Sequence, residues 1–125
     1  MVDPDPALPI LPLGIEALLG GAVESSRLEF KASWDERRTA PQVIQTICAF
    51  ANDLQNLHGG YVVIGVREQH GRVIRPVDGL TPEEIEVAQR WLRGNCNRLR
   101  PMFMPVFAPA WIDDRHVLVV WAHAS

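Results

Sequence analysis

The chain has 125 residues, two cysteines and a formal charge of −3. That length fits one domain with a modest core, and a hydrophobic content of 47% excludes a chain that stays disordered. No apolar run approaches the roughly 20 residues of a membrane-spanning helix. Asp3 and Asp5 stand where a secretory signal would carry basic residues, so a cytoplasmic chain with no membrane partner is expected. Cys48 and Cys96, without a CxxC pattern, exclude a disulfide framework and a cysteine zinc site. Each is expected to be a small buried hydrophobe.

The charge is unevenly spread. Through Glu36 there are seven acids against two bases, and from Arg37 onward eight acids against ten bases. Eleven of the twelve cations are arginine, the side chain better suited to bidentate phosphate contacts.

Residues 1–12 hold four prolines and two aspartates and read as an extended leader. Leu13 to Leu19 is a short helix candidate, stopped by Gly20-Gly21. Together, residues 1–22 form a leader and short helix, and residues 23–125 form the domain. From Arg27 to Lys31 polar and apolar residues alternate, the period of a strand with one wet face. Trp34 to Arg38 is a charged loop. Thr39 with Gln42 matches a capping box, and Val43, Ile44, Ile47, Cys48, Ala51 and Leu54 follow at helical spacing. Tyr61 to Val66 is apolar on both faces, as a central strand would be.

Gln69-His70-Gly71-Arg72 is a hairpin turn, with Val73 to Arg75 as its return strand. Thr81-Pro82-Glu83-Glu84 starts a second helix, lined by Ile85, Ala88, Leu92, Cys96 and Leu99 and weakened by Gly94. Phe103 to Val106 and Val117 to Trp121 read as strands joined near Asp113-Asp114. The chain ends soon after that last apolar strand, as a fragment of a longer protein would. An apolar strand left at an edge would seek a partner, which points to a homodimer or interaction module as one reading.

The order Glu24, Glu29-Phe30-Lys31, Ala49-Phe50-Ala51-Asn52, Gly59-Gly60-Tyr61, Ile64-Gly65-Val66 resembles the Schlafen-type Alba-like family of bacterial domains, over roughly residues 20 to 122. The resemblance implies an α+β fold, with two main helices packed on a mixed, mostly antiparallel sheet. It also implies a nucleic-acid-binding domain of a bacterial transcriptional-regulator-like protein, with DNA or RNA as partner and no cofactor. The isolated domain would bind weakly, given its charge balance.

Animal members resemble a metal-dependent endoribonuclease. Carried over, Glu24, Glu29 and Glu68 would be catalytic and would hold Mg²⁺ or Mn²⁺. Here Arg67-Glu68 stands where relatives often carry aspartates, so either Glu68 reaches further or the third ligand is missing. The segment from Asp53 to His58 is also longer than the family's usual link. The two glutamates Glu24 and Glu29 differ in parity on a straight strand, so convergence requires a bend at Ser25-Ser26. The alternative is a Glu29 paired with Lys31 or a cross-strand arginine and a solvated Glu24.

Arg27, Lys31, Arg67, Arg72 and Arg75 lie on or beside the predicted strands and are the candidate phosphate contacts. Arg90, Arg93, Arg98 and Arg100 form a second group, which equally suits a helix C-terminus. Trp34, in its charged loop, is the one tryptophan placed to stack on a base.

Overall fold

The computed structural model describes residues 11–21, 23, 25–52, 59–99 and 103–123. Chain order is α1 (Ile15–Leu19), a 3₁₀ turn (Ser25–Arg27), β1 (Leu28–Lys31), α2 (Thr39–Ala51), β2 (Gly60–Ile64), β3 (Glu68–Gln69), β4 (Arg72–Val73), α3 (Pro82–Cys96), β5 (Val106–Ile112) and β6 (Arg115–Ala122). Four strands make one sheet in the order β1-β2-β6-β5. The β1/β2 pair is parallel, with α2 as its crossover, and the other two pairs are antiparallel. The expected mixed, mostly antiparallel α+β architecture is therefore present.

Alternation along β2 explains why its sequence is apolar throughout. Val62 and Ile64 face α2 and α3, where they meet Val43, Ile47, Ile85, Leu92, Leu118 and Val120. Tyr61 and Val63 face the other way, into a second cluster with Val117, Val119, Ile112 and the fully buried Leu18 of α1. A strand covered on both faces gains from a continuous apolar run.

Local chemistry sets the element ends. At Thr81 the side chain accepts from the Glu84 N–H at 3.1 Å, and the Thr81 N–H donates to Glu84 Oε1 at 3.0 Å, a complete capping box. The β3–β4 hairpin turns through His70 and Gly71, and the β5–β6 hairpin through Asp113 and Asp114, with φ positive at all four. Two-residue loops of this kind match the right-handed twist of their strands.

Three expectations are corrected. Thr39 is the first helical residue rather than a cap: Arg38 holds the N-cap position and no side chain caps the helix. The Ala40 N–H donates to the Asp35 carbonyl at 2.9 Å, and the Gln42 side chain accepts from Lys31 instead of closing a capping box. The first strand of the C-terminal hairpin begins where it was expected to end, at Val106, and runs through Pro109 to Ile112. Proline is tolerated there because β5 is an edge strand and one edge donor can be spared. The last strand, β6, is paired on both sides, so the open edge that pointed to dimerisation does not exist at that strand. The open edges belong to β1 and β5.

Candidate nucleic-acid interface and carboxylate cleft

The edge strand β1 divides its side chains between two surroundings. Leu28 and Phe30 lean on the α1-side cluster. Glu29 and Lys31 point toward α2, where Thr46 and Gln42 lie one turn apart. The Thr46 hydroxyl donates to Glu29 Oε2. Lys31 Nζ lies 3.5 Å from Glu29 Oε1 and donates to Gln42 Oε1 at 2.7 Å. The Glu29–Lys31 pairing weighed from the sequence is thus present, within a four-residue seam between strand and helix.

Just beyond β2, the N–H groups of Gly65 and Val66 both donate to the Lys31 carbonyl, at 2.7 and 3.1 Å. This clamp leads the chain back to β3, where Glu68 is exposed. Glu29 and Glu68 then line one cleft of about 410 Å³ with Ser26, Thr46 and Phe50. The 3₁₀ turn at Ser25–Arg27 precedes β1 directly. Glu24 lies outside the described residues. Among the described residues no group of three or more His, Cys, Asp or Glu is placed to hold a metal ion.

The five candidate phosphate-binding cations have different fates. Arg27 is buried, its guanidinium 5.5 Å from the centre of the Phe50 ring. Lys31 is engaged by Glu29 and Gln42. Arg67 donates twice to Asp78 Oδ2, at 2.7 and 3.2 Å. Arg75 grips both oxygens of Asp113, at 2.6 and 3.1 Å, and reaches Glu16 of α1 at 3.4 Å. The bonds to Asp113 and Glu16 raise the Arg75 pKa above its ordinary value. The same Arg75 bond holds the Asp113 carboxyl below the usual carboxylate range.

Arg72 alone of the five is exposed with no ion pair among the described residues. It borders a second cleft, of about 480 Å³, between α1 and the β3–β4 hairpin, walled by Leu19, Val23, Leu28, Phe30 and Val73. Glu68, Leu28 and Phe30 border both clefts, so the two adjoin across β1.

Sequence reasoning missed the partners rather than the strand. Thr46, Gln42, Asp78 and Asp113 each hold a candidate side chain, yet each lies 11 or more residues from it. Trp34 does not stand free: its ring meets Trp91 edge-on at 5.8 Å and packs against the α2–α3 cluster. The most exposed large aromatic among the described residues is instead Trp111, 56% accessible on β5.

The structure defines an α+β domain, with two long helices on one face of a four-stranded mixed sheet, the short α1 on the other, and paired clefts at one edge. The family model for Schlafen, AlbA_2 matches residues 24–125, and the chain belongs to that family. The solution structure of the N-terminal domain of a RecG-related protein from Nitrosomonas europaea is similar, at 26% identity and a TM-score of 0.69. That likeness covers 90% of this chain and 74% of the other. A crystal structure of a Corynebacterium diphtheriae protein shares the fold at 17% identity and a TM-score of 0.54. There the match covers 89% of this chain but only 25% of the other. No curated protein matches the chain. Among the described residues no helix is long and apolar enough to cross a membrane.

Proposed function

We propose that this chain is a nucleic-acid-binding domain, with Arg72 and the clefts beside β1 as its contact surface. The observation that carries this reading is the likeness over 90% of the chain to the N-terminal domain of a protein whose name relates it to an ATP-dependent DNA helicase. The electrostatics fit a weak binder. Arg67 and Arg75 already face aspartates, and Lys31 faces Glu29, so few of the cations around the clefts remain to release counterions from phosphates. A setting in a bacterial regulator-like protein rests on the family resemblance.

The test is fluorescence anisotropy at low salt with labelled duplex DNA, single-stranded DNA and tRNA. Binding that weakens with salt, and weakens again in Arg72→Ala, is expected. A folded sample that binds none of the three refutes the reading.

A second reading, metal-dependent cleavage of structured RNA, is favoured by one observation: Glu29 and Glu68 border the same cleft. Mg²⁺ commonly uses one or two carboxylates and completes its shell with water and phosphate oxygens. Glu29, Glu68 and Glu24 would be the ligands, and the ion would activate water for attack on the phosphodiester. Lys31, 3.5 Å from Glu29, competes with any cation for that carboxylate. Incubating tRNA with Mn²⁺ separates the readings: cleavage by wild type that Glu29→Gln abolishes supports the nuclease, and equal cleavage by both marks a contaminant.

A further inference from the structure

We propose that the cleft between α1 and the β3–β4 hairpin receives a single unpaired nucleobase, with its phosphate held by Arg72. This rests on the nucleic-acid reading above and makes it specific for unstacked strands.

Three observations converge. The cleft is about 480 Å³, within the range of small-ligand sites, and beside Glu68, Arg72 and Arg75 its lining includes apolar side chains that remain partly exposed: Leu19, Val23, Leu28, Phe30 and Val73. Phe30 supplies an aromatic ring on which a base can stack. At the rim stands Arg72, whose neighbours along the chain, Arg67 and Arg75, are each tied to an aspartate. One uncommitted guanidinium beside an apolar hollow complements one phosphate beside one base.

The walls set the state of the strand. A base inside a duplex has its faces stacked and its edge paired, so it cannot enter a hollow bounded by a helix on one side and a hairpin on the other. The overall charge points the same way. A chain of net charge −3 is poorly equipped to bind by phosphate contacts alone, so base burial supplies affinity that the cations lack. Glu68, exposed on the same rim, repels a second phosphate there and confines the contact to one nucleotide.

The experiment compares three labelled 12-mers by fluorescence anisotropy at one low salt concentration: oligo(dT), the same strand paired with oligo(dA), and a strand of abasic sites. The intact single strand should bind about tenfold more tightly than either the duplex or the abasic strand. Val73→Trp, which fills the cleft, should remove that preference while circular dichroism shows a folded protein. Arg72→Gln should weaken all three. Equal binding of intact and abasic strands, or preference for the duplex, overturns the base site and leaves the nucleic-acid reading standing. Absence of binding to any of the three overturns both. The abasic arm needs no variant, so it decides the matter even if Val73→Trp misfolds.

Discussion

Gly60→Ala tests why a phenylalanine near the end of one helix and a glycine at the start of the next strand occur together. A Cβ at Gly60 would lie 2.4 to 2.6 Å from three ring carbons of Phe50. Contacts that short force the ring out of place. Phe50 is only 7% accessible and is held between α2 and the sheet, so it has little room to yield. Overpacking of this kind costs about 1–3 kcal/mol. Phe50→Ala removes all three ring carbons, and at the same time some burial and the contact with Arg27. The double variant Gly60→Ala/Phe50→Ala should therefore be more stable than the sum of the two single losses predicts, by about 1 kcal/mol. Urea unfolding followed by circular dichroism measures all four proteins. Additivity within about 0.5 kcal/mol would refute the reasoning, because the ring would then not be what excludes a side chain at residue 60. Gly59→Ala is the control from the adjacent residue. Its Cβ would fall 1.9 Å from the Ala122 carbonyl oxygen, at φ +65°, and no trimming of Phe50 can relieve a backbone clash.

Three further outcomes are expected. Leu18→Ala should destabilise by about 2–5 kcal/mol in the same unfolding assay, because Leu18 is fully buried although α1 precedes the family match; a loss under about 1 kcal/mol would mean that α1 is a loose attachment. Gly94→Ala should stabilise by up to about 1 kcal/mol, read as a rise in thermal midpoint, since Gly94 is helical and nothing lies within 4 Å of its added Cβ. Asp113→Asn should lower the thermal midpoint at pH 7, and the gap from wild type should narrow steadily as the pH falls below about 5. Hydrogen bonding to Arg75, with the Val77 N–H adding to it, depresses the folded-state pKa of Asp113, so its contribution is present above the unfolded value near pH ~3.9 and is lost as pH falls through the lower folded value. A gap between wild type and variant that does not narrow with falling pH would contradict that assignment.

What the sequence made legible depended on how local each decision was. The Thr81–Glu84 box and the His70-Gly71 turn are decided within four residues, and both are present. The Thr39–Gln42 match is equally local in pattern but failed. A carbonyl four residues upstream of Thr39 caps Ala40, while Lys31, from the adjoining strand, takes the Gln42 side chain. In the C-terminal hairpin the turn at Asp113-Asp114 and the second strand are present and only the first strand differs, because Pro109 reads as a break unless one knows that its strand lies at an edge. At the site, the alternation of Glu29 and Lys31 was visible, since period two belongs to the strand itself. Their contacts with Thr46 and Gln42 were not, because these depend on how α2 crosses between two parallel strands. The pairings of Arg67 with Asp78 and Arg75 with Asp113 span 11 and 38 residues and belong to tertiary structure alone.

Phe50 joins the part of the motif that builds the fold to the part that builds the cleft. One side of its ring lies against Gly60, where β2 begins. The buried Arg27 guanidinium sits over the ring, at the residue before β1, and Phe50 also borders the cleft that Glu29 and Glu68 share. The helix-Gly-Gly-strand pattern is therefore a packing solution that also fixes the start of the edge strand. If so, Phe50→Leu should perturb more than stability. With Arg27 no longer held by a ring, the turn at Ser25–Arg27 and the backbone of Leu28 lose a constraint on the cleft wall. Hydrogen exchange should then rise at Leu28 to Phe30 before it rises at β6, which is paired on both sides and does not depend on that contact. A uniform rise across β1 and β6 would show that Phe50 supports only the core as a whole, and that fold and cleft are not coupled through it.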